Sequence, residues 1–158
     1  MVEVGMGGKD DATNVRRKGP EVAIVTSIGL DHTEFLGDTH AKIATTKSGI
    51  FRKGAPAVYS AGIPMEAEEA ILASAASTGC SQVIAAPLAE RIGGGGMGGA
   101  PVKARWDGIE FDIGIRGGYQ VENAGVAFAA LRVMQASGGW DITDSHICEG
   151  MSDARIAG

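Results

Sequence analysis

Five side chains in the first third of the sequence could do chemistry: Glu3, His32, Lys47 and the paired carboxylates Asp10 and Asp11. Glu3 stands in VEV, directly before a glycine turn, and His32 follows the apolar run EVAIVTSI within the segment SIGLDHTEFLG. A carboxylate and an imidazole at the carboxyl ends of two strands open onto the crevice where open α/β sheets take ligands. Such a pair suits Mg²⁺ in part, because Mg²⁺ prefers oxygen and keeps several waters; beside nucleotide phosphates it becomes a reasonable holder. Each residue also has a plainer reading, Glu3 as a solvated edge residue and His32 as a hydrogen-bonded loop residue. His40 and His146 fall on expected helices and take the plainer reading.

Lys47 shares a face with apolar neighbours. Ile43, Lys47 and Ile50 lie at i, i+4 and i+7, whereas Lys42 points elsewhere. A lysine there either buries its stem and reaches back to water, or works inward at a crevice, paired with a carboxylate or covalently turned into one. GMGGKDDATN, residues 5–14, looks like a phosphate cradle but departs from the standard one. A P-loop requires G-x-x-x-x-G-K-[ST]; here Lys9 is followed by Asp10, and Lys47-Ser48 is preceded by Thr46. G-x-G-G also misses the dinucleotide pattern. What remains is a glycine turn offering Asp10, Asp11, Thr13 and Asn14, a set that suits hydrogen bonding to a polar heterocycle or acid. Further on, Gln120 and Asn123 at i and i+3 set two amides on one helix face, able to read a purine edge or simply to be solvated.

The elements that must position these groups alternate. A strand is expected at MVEV, a doubly covered strand over residues 21–28, and a helix over 37–50 capped by Asp38 or Thr39. A short strand APAVYSA follows, then a helix over 63–77 with Pro64 and acidic residues in its first turns, then a strand in SQVIAA. Beyond these, residues 92–100 read as a flexible glycine loop, PVKARWDGIEFDIGIRG as a hairpin turning at Asp107-Gly108, residues 119–138 as a long helix, and residues 143–151 as a short one. The expected fold is α/β, a mostly parallel sheet flanked by helices with an added hairpin.

The 158 residues suffice for one domain with a real core. Charged residues at 21% and apolar residues at 44% argue against a disordered chain. A net charge of -5 gives no electrostatic reason to bind nucleic acid or an anionic membrane. No run of 18 apolar residues is present, so no membrane-spanning helix is expected. Cys80 and Cys148 fit reduced thiols better than a disulfide framework.

The order of motifs resembles the folylpolyglutamate synthase/dihydrofolate synthase family, part of the Mur ligase superfamily. VEVGMGGKDDATNV, then TSIGLDHTEFLGDT with IATTKSGIFRKG, then YQVENAGVAFAAL occur in the family's order and roughly its spacing, and the likeness spans nearly the whole chain. The resemblance implies a Mur-ligase-type central domain, P-loop NTPase-like and incomplete. It implies Glu3 and His32 as Mg²⁺ ligands, Lys47 as the carbamylated lysine, Asp10, Asp11 and Ala12 as the pterin-contacting segment, and Asn123 as a contact to ATP. The implied reaction is ATP-dependent ligation of L-glutamate to dihydropteroate or folate through an acyl phosphate.

Both ends of the chain read as interruptions. The family's P-loop unit is expected before VEVG, and its arginine-bearing segment and glutamate-ligase domain after RIAG, so residues 1–158 are expected to be part of a central domain and inactive alone. Lys9, Asp10, Thr46 and Tyr119 depart from common family residues. KDDATN with TKSGI leans towards the dihydrofolate synthases of plant type. The complete protein is expected to be cytoplasmic or organellar, monomeric, and without nucleic-acid or membrane partners. Two other readings stay open: another Mur-type amide ligase, and a non-enzymatic remnant that binds a ligand weakly.

Overall fold

The computed structural model describes residues 1–9, 11–15, 20–95 and 100–155. Two compact units, residues 1–85 and 86–158, make up the chain. The expected hairpin is realised in the second, and the parallel sheet in the first.

In the first unit, β1 (Ala23–Val25), β2 (Ala57–Ser60) and β3 (Val83–Ala86) form a three-stranded sheet in the order β1-β2-β3. β1 runs parallel to β2 in the register Ala23 to Ala57 and Val25 to Tyr59. The central strand is buried at all four positions, as a strand covered on both faces should be. β1 is shorter than its apolar run and alternates instead: Ala23 and Val25 are buried, while Ile24 is exposed. Residues 1–4 form no strand, in contrast to the expectation for MVEV, because they join no ladder among the described residues. Met1 and Val2 are correspondingly exposed.

Two helices cover one face of this sheet. α2 (His40–Lys47) begins at Thr39, whose hydroxyl accepts the Lys42 amide at 3.2 Å, and runs into a single 3₁₀ turn, Ser48–Ile50. α3 (Met65–Thr78) follows Pro64, carries Glu66 and Glu68 in its first turn, and closes at the left-handed Gly79. Ile43, Ala44, Ala67, Ile71 and Ala75 from these helices pack with Ala23, Val25, Ala57 and Tyr59 in one apolar cluster. Two polar ties fasten α3. The Tyr59 hydroxyl donates to Glu68 at 2.5 Å, and His40 Nδ1 lies 2.8 Å from Glu66. Burial first, and the Glu68 carboxylate second, push the Tyr59 phenol up to about 12, so it stays a donor.

The second unit is built on an antiparallel meander, β4 (Glu90–Gly94), β5 (Val102–Trp106) and β6 (Ile109–Ile113). Asp107 and Gly108, with φ of 48° and 78°, form the two-residue turn between the last two strands, left-handed at both positions as its twist requires. The start of the glycine tract is strand, not loop: Gly93 and Gly94 pair with Lys103 and Val102. A Cβ on Gly94 would stand 1.9 Å from the Pro101 carbonyl, so only glycine lets the two strands pass that closely. Residues 96–99 of the tract lie outside the described residues.

α4 (Gln120–Ala136) buries Phe128, which stacks on Trp106 at 4.9 Å and meets Phe111 at 5.3 Å. α5 (Asp144–Asp153) starts with a capping box between Thr143 and His146, and Asp144 at its head binds Arg132 of α4. Cys80 and Cys148 are free thiols, each pushed up chiefly by burial and therefore poor nucleophiles.

Candidate functional site

The glycine–acid loop is organised by one carboxylate. Asp11 Oδ2 accepts the amides of Gly5 and Met6, both at 3.1 Å. Its Oδ1 accepts the Thr13 hydroxyl at 2.5 Å and the Thr13 amide at 2.8 Å. The Thr13 hydroxyl, then the Thr13 and Met6 amides, hold the carboxyl down to about 2. Every acceptor position of Asp11 is thus filled by its own loop. It draws Gly5, Met6 and Thr13 into a ring, inside which the Asp11 amide donates to the Gly8 carbonyl at 3.3 Å. Ala12 opens the 3₁₀ turn Ala12–Val15 on this ring and is exposed. Asp10, assigned with Asp11 and Ala12 to the pterin contact, lies outside the described residues.

This ring sits directly on the end of α2. A Cβ on Gly8 would stand 2.6 Å from the Lys47 carbonyl and 2.7 Å from the Thr46 carbonyl. A Cβ on Gly49 would stand 2.5 Å from the Lys9 nitrogen. Two glycines 41 positions apart are therefore needed for backbone to touch backbone, one on each side of the junction. Polar groups then tie it. Asn14 Nδ2 donates to the Lys9 carbonyl at 2.9 Å and to the Gly49 carbonyl at 3.2 Å. Arg52 Nη2 donates to the carbonyl and side-chain oxygens of Asn14, and Nη1 to the carbonyls of Gly49 and Phe51. Sequence reasoning listed Asn14 among several polar residues and passed over Arg52. The pair Gly7-Gly8 and the lone Gly49 were the only available signals.

Lys47 ends α2 at this junction. Ile43 is fully buried, Ile50 packs against the same cluster, and Lys47 between them is half-buried. Its amine has no carboxylate partner among the described residues. A half-buried amine beside a glycine ring, unpaired among the described residues, is chemically open to modification or to an anion.

His32 lies in a different kind of turn. Its φ of 49° is left-handed, and it precedes the one-turn helix α1 (Thr33–Leu36) without capping it. Its amide donates to Asp31 Oδ1 at 2.8 Å, and its Nε2 is 3.7 Å from Asp31 Oδ2. The ring is exposed, as is Glu3. No group of three or more His, Cys, Asp or Glu side chains converges among the described residues, so no all-protein metal cage exists there. Glu3 carries oxygen donors and His32 a ring nitrogen, donor types that fit a hard cation completed by waters and phosphate oxygens and not a structural metal. Asn123 belongs to the second unit, exposed on the first turn of α4, where its Nδ2 donates to Gln120 Oε1 at 3.3 Å.

The Mur ligase middle domain family matches residues 1–131. The chain belongs to this family. A folylpolyglutamate synthase of Arabidopsis thaliana is 32% identical over 169 residues, covering all of this chain and 24% of the relative. Among solved structures, a complex of FPGS with AMPPCP superposes with a TM-score of 0.80 at 26% identity, over 98% of this chain and 39% of that one. E. coli FolC in complex with DHPP and ADP superposes at 0.69 with 28% identity, over 97% of this chain and 34% of that one. The chain thus spans about a quarter to two fifths of the length of these relatives. Among the described residues, none of its helices is long and apolar enough to cross a membrane.

Proposed function

We infer that this Mur ligase chain contributes to an ATP-dependent ligase that joins L-glutamate to dihydropteroate or folate. The observation that carries this is the docking of the glycine–acid ring onto the end of α2, in a chain whose relatives are folylpolyglutamate synthases and hold AMPPCP or ADP. In the reaction, a carboxylate oxygen of the pterin acid attacks the γ-phosphorus of ATP and ADP departs. The glutamate amine, having lost a proton, then attacks the acyl carbon and phosphate leaves with the C–O bond pair.

Little covalent work falls to the protein. Its part is to position the reactants and neutralise charge. Glu3 and His32 would hold Mg²⁺, which when bound offsets charge on the phosphate oxygens. Lys47, as a carbamate, would present an anionic oxygen pair from the end of α2 at the same place. Asp11 would act by shape, keeping Gly5, Met6 and Thr13 drawn together so that Ala12 meets the pterin acid. Asn123 would contact the nucleotide. Residues 1–158 would form part of a central domain, with the P-loop unit and the glutamate-binding domain supplied by other sequence of the complete protein. That protein would be a monomer of the cytoplasm or an organelle.

The test is direct. The full-length protein carrying this segment, given Mg²⁺, ATP and L-glutamate with dihydropteroate or folate, should release one ADP for each new glutamyl amide. ATP-dependent product from neither acid would overturn the reading and leave a binding remnant. In an active protein, Lys47→Ala should lower turnover by about a hundredfold or more while barely moving the unfolding midpoint. Unchanged turnover would remove Lys47 from the chemistry.

A further inference from the structure

The guanidinium of Arg52 is half-buried and, among the described residues, makes its hydrogen bonds to neutral oxygens. Those are the carbonyls of Gly49 and Phe51, at 3.1 and 2.7 Å, and the carbonyl and side-chain oxygens of Asn14. It forms no ion pair with a carboxylate among the described residues. A guanidinium used this way fixes backbone: its rigid fork donates to oxygens of two segments in a set geometry that a compact ammonium on a flexible stem does not impose. Asn14 completes the arrangement from the other side, its amide bridging the Lys9 and Gly49 carbonyls at 2.9 and 3.2 Å. The Gly49 carbonyl accepts from both side chains and is the shared point of the clamp. Two residues before it in sequence stands Lys47; Lys9 and Asn14 bracket the ring segment that holds Asp11 and Ala12.

We propose that Arg52 and Asn14 are positioning residues that fix the substrate-reading ring, residues 5–9 and 11–14, relative to Lys47 at the end of α2, and so set affinity for the pterin acid. This deepens the proposed ligase reading and rests on it. The glycine contacts allow the ring to approach α2, but contact alone leaves it free to slide along the helix end. The Arg52 fork and the Asn14 amide, donating to carbonyls on both segments, remove that freedom. An acid bound by the ring would then present its carboxylate at one fixed place with respect to Lys47. Misplacement on the scale of 1 Å can cost a reaction about a hundredfold, so such a clamp matters even though neither side chain touches the reacting atoms.

Two measurements test this, one of them independent of the ligase reading. In the full-length protein, Arg52→Ala and Asn14→Ala should each raise KM for the pterin acid by about tenfold or more, leaving KM for ATP within about twofold. Arg52→Lys should not restore the acid KM, because one ammonium cannot span the same carbonyls. A purely structural role would instead lower the active fraction with both KM values unchanged, and that result overturns the proposal. So does full rescue by Arg52→Lys. Amide hydrogen exchange supplies the second measurement. Arg52→Ala should speed exchange at Gly5, Met6 and Thr13, whose amides are held in the Asp11 ring, without speeding exchange in α4. If the wild-type protein ligates glutamate to neither acid, the function falls and the clamp is judged by exchange alone: faster exchange in the ring supports it, and unchanged exchange overturns it.

Discussion

Among the described residues, two turns place a residue other than glycine in the left-handed region at nearly the same φ, His32 at 49° and Asp107 at 48°. Their settings differ. Asp107 is followed by Gly108 and joins two paired strands, a position whose twist demands that geometry and where aspartate tolerates it. His32 joins nothing of the kind. It stands between an Asp and a one-turn helix, exposed, with no side-chain cap to repay the strain. The first turn follows from local chain rules. The second needs another reason, and strained residues gather where a site must aim a side chain. The same contrast separates the glycines. Gly108 has open space around the missing Cβ, so its conformation alone selects it, whereas Gly8 and Gly49 are selected by the backbone pressed against them.

The largest effect expected from this contrast is at Gly49. A Cβ there meets the nitrogen, Cα and Cβ of Lys9 within 2.7 Å, so Gly49→Ala must push the ring off α2 or distort both. Destabilisation of about 3 kcal/mol is expected, at the upper end for overpacking. Gly108→Ala meets no atom, and its φ of 78° should cost only about 1 kcal/mol. Denaturant midpoints of the two variants decide the matter. Equal losses would mean that the ring is not seated on α2 in solution.

The next effect has the opposite sign. His32→Gly should stabilise the fold by about 0.5 kcal/mol, since relief of left-handed strain outweighs the extra freedom of the unfolded glycine. The same change should abolish ligation if the imidazole holds Mg²⁺. A destabilised His32→Gly would show that the ring's own contacts impose the turn and would remove the argument from strain.

Acid should loosen the ring. Asp11 has a folded value of about 2 against an ordinary 3.8, held down first by the Thr13 hydroxyl. A depressed carboxyl stabilises the structure above its unfolded value, and that contribution fades as pH falls from 3.8 towards 2. Amide exchange at Gly5, Met6 and Thr13 should therefore accelerate across that interval. Asp11→Asn, which keeps one acceptor and loses the charge, should show faster exchange already at neutral pH and a flatter acid limb. An unchanged limb in that variant would assign the transition to another carboxylate.

What was legible in the sequence follows the same division between local and distant causes. The Asp107-Gly108 hairpin, α3 with its proline and acidic first turn, the Thr39 cap and the buried β2 all rest on neighbours within a few residues, and all appear where the pattern places them. Residues 1–4 misled because apolar alternation marks a potential strand, while a strand exists only when another pairs with it. β4 was hidden by glycine, a residue that reads as loop until a partner strand needs to pass closely. Within the candidate site, the residue types of Glu3, His32, Lys47 and Asp11 stood out at once. The clamp did not: Asn14 and Arg52 are 38 positions apart, and their bonds run to carbonyls, which every residue possesses. A sequence shows which groups are rare. It does not show which common groups a fold brings together.

The smallest effect closes the comparison of the two turns. Asp107→Asn exchanges one residue that accepts the left-handed region for another and leaves the strand pairing from Trp106 to Ile109 intact. Its stability should change by less than about 0.5 kcal/mol. The corresponding change in the first unit, His32→Asn, should be as mild for folding, since asparagine also tolerates that region, yet it exchanges an imidazole for an amide with no ring nitrogen. If the two variants fold equally well and only His32→Asn loses ligation, the left-handed turn at His32 serves the side chain it presents. If Asp107→Asn loses ligation too, the hairpin contributes to the reaction, and the division between a structural turn and a functional one is wrong.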